Sequence, residues 1–140
     1  MIYRKSAYLA KKLLNHVLLG ENYPPPAAVY IALLTSDPTR LGNMSSEVSG
    51  GGYSRLQLIV NPAIDDIETS LCDSIYDLEW PQATAPWGTI THGAVMDAEE
   101  GGNMLYFAEL TDSQGNPAPQ EILLDNFFKF PAGVVVVEEG

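Results

Sequence analysis

The stretch that decides the fold is WPQATAPWGTITHG, Trp80–Gly93. It contains both tryptophans of the chain, and Pro81 and Pro86 restrict its backbone. Two indole rings offer a large apolar surface to a core. The stretch therefore predicts a stiff corner between two strands, with Trp80 and Trp87 as structural anchors, and it contains no pattern typical of a catalytic site.

Strand-like segments lie on both sides of this corner. Apolar and polar residues alternate in several of them, as in Tyr76, Leu78 and Trp80 against Asp77 and Glu79. Turn signals recur at intervals of roughly 8–15 residues, which indicates an antiparallel β-sandwich or small barrel of about seven short strands. The predicted strands are Ala28–Thr35, Tyr53–Val60, Ile75–Trp80, Thr89–Met96, Met104–Leu110, Glu121–Leu124 or Phe127–Phe130, and Val134–Val137. Residues 63–73 are acidic and are predicted to be irregular.

The N-terminal segment has the periodicity of an amphipathic helix over residues 2–19. Gly20 is a natural helix end, and the prolines 24–26 prevent continuation. We consider three roles: a helix packed on its own domain, an arm that docks on a neighbouring subunit, and a helix on a membrane surface. The basic side chains of its polar face are Arg4, Lys5, Lys11 and Lys12. The fold class is thus mainly β with one N-terminal α-helix, divided into a helix over residues 1–22 and one β domain over 23–140.

The charge is distributed unevenly along the chain. The net charge is −11, yet the first 20 residues contain no acid, so residues 21–140 carry 3 basic and 18 acidic groups. An acidic body repels phosphate backbones, which argues against a nucleic-acid partner and favours a basic protein surface or simple solubility. Cys72 is the only cysteine, so no internal disulfide is expected. We also expect no membrane span and no signal peptide.

No motif with a specific chemical role emerges from the remaining residues. Gly50-Gly51-Gly52 lacks the lysine and the helix start of a phosphate-binding loop, and it predicts a flexible turn before Tyr53. His16 and His92 are far apart in sequence and are expected to be structural. The acidic group Asp65, Asp66, Glu68 and Asp73 does not have EF-hand spacing. We therefore predict no catalytic residue, no metal site and no cofactor.

Aromatic side chains leave a carbohydrate-binding module open as one function. Aromatic rings stack on sugars, and such a receptor-binding domain would use Trp80, Trp87, Tyr76 and Tyr106. Aromatic residues at inward strand positions are more often part of a core.

Several segments, in this order, resemble a family of small single-domain tailed-bacteriophage proteins that are often labelled tail fibre protein. They are LLNHVLLG (Leu13–Gly20) with Tyr23-Pro24-Pro25, VYIALLTSDPT (Val29–Thr39), EVSGGGYSR (Glu47–Arg55), WPQATAPWGTITHGAVMDA (Trp80–Ala98), GGNMLYFAEL (Gly101–Leu110) and FPAG (Phe130–Gly133). Residues 61–79 and 111–126 depart from the family pattern. The resemblance implies a virion structural protein without enzymatic activity, assembled in the bacterial host cytoplasm, and it carries over no functional residues.

Within that class we favour a capsid decoration, or cement, protein that clamps capsomers, because the chain is one acidic domain with a basic helix and no shaft. The alternative is a tail fibre or baseplate component. The predicted partners are other copies of the chain, as a trimer or dimer, and virion proteins such as the major capsid protein. The interface candidates are Arg4, Lys5, Lys11, Lys12, Val29, Ile31, Leu33, Gly50, Gly51, Gly52 and Tyr53.

Overall fold

A computed structural model describes residues 1–139. These residues form twelve strands and one helix. In chain order they are β1 (Ile2–Lys5), α1 (Ala7–Leu19), β2 (Val29–Leu34), β3 (Leu56–Leu58), β4 (Ile64–Asp65), β5 (Ser70–Asp73), β6 (Leu78–Glu79), β7 (Gly88–Ile90), β8 (His92–Met96), β9 (Met104–Glu109), β10 (Gln120–Ile122), β11 (Lys129–Phe130) and β12 (Val136–Glu139). The prediction of a mainly β chain with one helix is confirmed.

Eight of the strands form one curled, mixed sheet that resembles half of a barrel. Their order is β3-β2-β8-β9-β1-β12-β5-β4, and two small sheets pair β10 with β7 and β11 with β6. All pairings in the large sheet are antiparallel except that of β1 with β12, which is parallel. The predicted antiparallel sandwich of about seven strands is therefore corrected to a mixed eight-stranded sheet with two satellites.

The N-terminal segment is a strand followed by a helix, and our helix prediction for residues 2–19 is wrong at its start. Tyr3 points into the core from β1, and the helix begins only after Ser6. The Ser6 hydroxyl accepts a hydrogen bond from the Leu9 N–H (3.1 Å), which satisfies a free donor of the first helical turn. Gly20 ends the helix with φ 69°, as its position in the sequence predicts.

Most predicted strands are shorter or shifted in the structure, strands form at both 120–122 and 129–130 where we predicted one of two, and two further segments differ more. Residues 63–73, predicted to be irregular, supply β4 at the edge of the large sheet and β5 beside it, and a short strand at an edge tolerates charged residues. The predicted strand Thr89–Met96 divides at Thr91 into β7 and β8, which belong to different sheets.

Apolar clusters cover both faces of β2. Ile31 and Leu33 face the main cluster, which also contains both tryptophans. Ala32 and Leu34 face a smaller cluster on the opposite side. All four side chains have no exposed area. This burial explains why the segment is apolar at every position instead of alternating.

Tyr3 makes an unusually close approach to the neighbouring backbone. Its ring lies over Gly93 of β8, where an added Cβ atom would overlap the tyrosine hydroxyl and lie 3.2 Å from Cζ. The hydroxyl is fully buried and has no hydrogen-bond partner among residues 1–139. Burial therefore raises its pKa far above the ordinary value for tyrosine.

Candidate interaction surfaces

Trp80 begins the corner Trp80–Gly93 and lies 2% exposed in the core. Its indole N–H donates to the Ser54 carbonyl (2.8 Å). Its ring packs edge-to-face against Phe128 (5.4 Å between centroids) and Phe130 (5.6 Å). Trp80 thus connects the corner to the segment before β3, which contains Ser54, and to the segment around β11, which contains Phe128 and Phe130.

Trp87 joins the same corner to the three-glycine loop. Its indole N–H donates to the Gly51 carbonyl (2.8 Å), and it packs edge-to-face on Tyr53. Gly50, Gly51 and Gly52 all have positive φ (73°, 62° and 80°), which glycine adopts without strain. A Cβ atom on Gly51 would lie 2.8 Å from the Trp87 ring. The loop is therefore held against the corner, and Gly51 is covered by it.

The buried indoles remove the main support for the carbohydrate hypothesis. Trp80 and Trp87 are 2% and 6% exposed, so neither presents a ring face to a sugar. Tyr76 is exposed, whereas Tyr106 is half-buried and its hydroxyl donates to a Glu139 carboxylate oxygen (3.2 Å). Burial, and then this carboxylate, raise the pKa of Tyr106. These four side chains do not form one stacking platform.

The sequence analysis missed an ion pair between Glu47 and Arg55, at the two ends of EVSGGGYSR. Arg55 donates from Nε and Nη2 to the two Glu47 carboxylate oxygens, at 2.8 Å each, and its side chain is 5% exposed. Its Nη1 donates to the carbonyls of Ala98 and Gly101. The carboxylate raises the arginine pKa further. The opposite charges flanking a glycine turn were the available signal in the sequence.

Tyr53 extends this network to the sheet. Its hydroxyl donates to Glu47 (2.7 Å) and accepts from the Leu33 N–H (3.0 Å). Burial, with the Glu47 carboxylate, raises the tyrosine pKa. The glycine loop 50–52, an interface candidate from the sequence, is thus connected to β2 and to the turn between β8 and β9 by a polar network whose hydrogen bonds are satisfied.

The β2 candidates lie within the fold of one copy. Ile31 and Leu33 have no exposed area, and Val29 is half-buried against the main cluster. Because buried side chains offer no surface to a partner, Ile31 and Leu33 are left out of the interface proposed below.

Three of the four basic candidates are paired inside the chain: Arg4 with Glu138 (3.3 Å), Lys5 with Glu139, and Lys12 with Glu21 (3.7 Å). Lys11 is exposed and has no ion pair within the described chain. The basic face is therefore largely neutralised, and Lys11 is the cation that remains for another molecule.

The second half of α1 is the most exposed apolar surface of a regular element. Leu9 is the one fully buried residue of the helix, whereas Leu14, Val17 and Leu18 are 60%, 74% and 73% exposed. A groove of about 340 Å³ runs along this part of the helix, lined by Lys5, Ala10, Leu13, Leu14, Val17 and Leu18. Apolar surface of this kind marks contact sites more often than free surface.

The other polar candidates do not converge. His16 contacts the Glu21 carbonyl (2.8 Å), and His92 contacts the Thr91 hydroxyl (2.8 Å). In residues 1–139 no three metal-ligating side chains gather into a possible ion site. Within the same residues, no helix has the length and hydropathy to cross a membrane.

Comparison with known proteins identifies the family. A family model described as podophage GP4 fiber I protein gp80 matches residues 4–138. The chain belongs to this fibre I family. The match confirms the resemblance seen in the sequence and makes the chain a virion component of a structural family. No curated protein matches the chain.

Proposed function

We propose that the chain is a structural component of the tail fibre apparatus of a podophage, and that it has no catalytic role. The observation that supports this function is the match to a fibre family over residues 4–138. The polar network of Glu47 and Arg55 and the buried tryptophans serve to join the glycine loop to the core, which supports a structural role for these residues. This proposal adopts the alternative of the sequence analysis in place of capsid decoration.

The partners in this proposal are other virion proteins of the fibre and further copies of the chain. The acidic body favours a basic surface on the neighbouring protein, since complementary charge determines orientation and partner choice.

Locating the chain on the particle tests the function. We expect gold-labelled antibody against the chain to bind at the tail in electron micrographs of intact virions. Virions made without the chain should keep heads of normal heat resistance and adsorb poorly to host cells, and supplying the chain in trans should restore adsorption. Label on the head, together with heads that rupture at lower temperature, would favour the capsid decoration function instead.

A further inference from the structure

One surface of α1 has the pattern of a helix that packs against a second element. Ala10, Leu13, Leu14 and Val17 recur at spacings of three and four, which places them on one face. We call these residues, with Leu18, the helix stripe. The helix contacts β9 and buries Leu9, whereas Ala10 and Leu13 are half-buried and the rest of the stripe, Leu14, Val17 and Leu18, stays outside the core of its own copy.

Lysines border the helix stripe on two sides. Lys5 lines the groove beside it. Lys11 precedes Leu14 by three positions and Leu18 by seven, so it lies along the other border of the same face. Because Lys5 is already paired with Glu139, an occupant of the stripe needs an apolar centre and a negative charge that reaches Lys11.

The hairpin of β4 and β5 has this chemistry. The Asp66 N–H donates to the Thr69 carbonyl (2.7 Å), which closes a tight turn with Ile67 and Glu68 at its centre. Turn centres are ordinarily polar, yet Ile67 is 98% exposed, and Ile64 in the edge strand is 62% exposed. Exposed isoleucines on a sheet edge are an association surface unless something covers them.

Acidic side chains surround these two isoleucines. Asp65 and Asp66 lie between them in the sequence IDDIE, and Glu68 follows Ile67. In the residues that the structure describes, neither Asp66 nor Glu68 has an ion pair with a basic side chain. The hairpin therefore presents apolar surface together with carboxylates that make no ion pair within residues 1–139, beside Arg4, which lines a groove with them and pairs with Glu138.

We propose that a second copy of this chain places its β4–β5 hairpin on the helix stripe. Ile67 and Ile64 then cover the exposed leucines and valine, and the hairpin carboxylates face Lys11. Another exposed apolar segment, residues 123–127, contains a single acid and fits the lysine border less well. The hairpin does not cover the helix of its own copy. That helix contacts β9, and β1, β12 and β5 lie between β9 and β4 in the sheet.

Each copy carries one stripe and one hairpin, so the contact joins two different surfaces. Repetition by a closed symmetry gives a reciprocal dimer or a small ring, which includes the trimer and dimer predicted from the sequence. The contact is independent of where the particle carries the chain, so it stands or falls separately from the fibre function.

Sedimentation velocity on the full chain, over a concentration series, tests the contact. We expect the wild type to associate, and Val17→Asp and Ile67→Asp each to sediment as single chains. Both side chains are exposed, so both variants should keep the wild-type circular dichroism, and their urea midpoints should equal that of the wild type at concentrations where the wild type is also monomeric. The matched control is Leu41→Asp, which changes an 85% exposed leucine outside both surfaces and should leave the association unchanged.

Mixing the two variants tests the pairing of unlike surfaces. Val17→Asp retains an intact hairpin and Ile67→Asp an intact stripe, so an equimolar mixture should form one-to-one pairs although each variant alone is monomeric. A contact between two identical helix stripes would instead leave Ile67→Asp associated and the mixture without new pairs. An associated Ile67→Asp or a mixture without new pairs would overturn the proposal. A monomeric wild type, or loss of association in the Leu41→Asp control, would overturn it as well.

A charge exchange tests the proposal without altering the apolar residues. Lys11→Glu or Glu68→Lys alone should weaken association, and the effect should shrink as salt is raised. The double variant should recover the wild-type association, because the two charges have exchanged places. Failure of the double variant to recover, with both single variants weakened, would contradict the proposed facing of Lys11 and Glu68.

Discussion

The close approach of Tyr3 to Gly93 predicts a strong coupling between substitutions at these two positions. In the wild type, the added methyl group of Gly93→Ala would overlap the buried tyrosine hydroxyl. Tyr3 is in a central strand and fully buried, so it has no free space into which to move. We expect the free energy of unfolding to fall by about 2 kcal/mol, as is typical of overpacked cores.

The same substitution should be nearly neutral in a Tyr3→Phe background. Without the hydroxyl, the nearest atom to the new methyl group is Cζ at 3.2 Å, which requires a shift of only a few tenths of an ångström. Replacing glycine by alanine within a strand also contributes roughly 0.5 kcal/mol of stability. The coupling energy of the double-mutant cycle should thus be about 2 kcal/mol.

Urea unfolding of the four proteins, with the midpoint and slope fitted for each, measures this coupling. Tyr3→Phe alone should leave stability unchanged or raise it by up to about 1 kcal/mol, because it removes a buried hydroxyl that has no hydrogen-bond partner within residues 1–139. A fall of the same size for Gly93→Ala in both backgrounds would refute the reasoning. So would a clear loss of stability in Tyr3→Phe, since that loss would mean that the hydroxyl makes a favourable bond.

Three further predictions concern the loop network and the acidic surface. Arg55→Met should lower the free energy of unfolding by about 3 kcal/mol in urea titrations, because it leaves the Glu47 carboxylate without its partner in a largely buried site; the double variant with Glu47→Gln should cost less than the two single changes together. Gly51→Ala should cost about 3 kcal/mol, since it combines a positive φ with a contact of 2.8 Å to the neighbouring indole, whereas Gly50→Ala, with positive φ but open space, should cost about 1 kcal/mol. The Ala132 N–H in the β11–β12 turn, and then Lys129, lower the pKa of Asp77. The contribution of Asp77 to stability is therefore present at neutral pH and is lost as pH falls through that lowered pKa. Thermal melts of Asp77→Asn should show a weaker loss of stability on acidification than those of wild type, and identical pH profiles would contradict this assignment.

The sequence predicts well those elements whose signal is local. Gly20 ends the helix where the sequence predicts, and both tryptophans are buried anchors as predicted, whereas the end of the predicted corner forms β7 and the start of β8. The doubly apolar segment at Ala28–Thr35 indicates a central or interface strand, and β2 is paired on both sides and buried on both faces. Each of these signals needs only neighbouring residues to be recognised.

The parts that the sequence does not predict depend on residues far apart in the chain. Residues 2–5 precede an amphipathic helix without a break in the sequence, and their pairing with β12 and β9, both distant in the chain, makes them a strand. The hairpin at Ile67 has no alternation to indicate strands, because both faces of an edge can be polar. The ion pair of Glu47 and Arg55 requires knowledge of how the glycine loop folds back.

The parallel pairing of β1 with β12 also constrains the order of folding. Contacts between these strands, such as that of Lys5 with Glu139, span 134 positions. Pairings this distant slow folding, because the entropy of closing the chain is lost before the contact stabilises anything. Until β12 is in place, β1 and β5 each expose an unpaired flank to other nascent chains. High-level synthesis therefore favours aggregation through the unpaired flanks of β1 and β5. Slower synthesis at lower temperature should raise the yield of native protein.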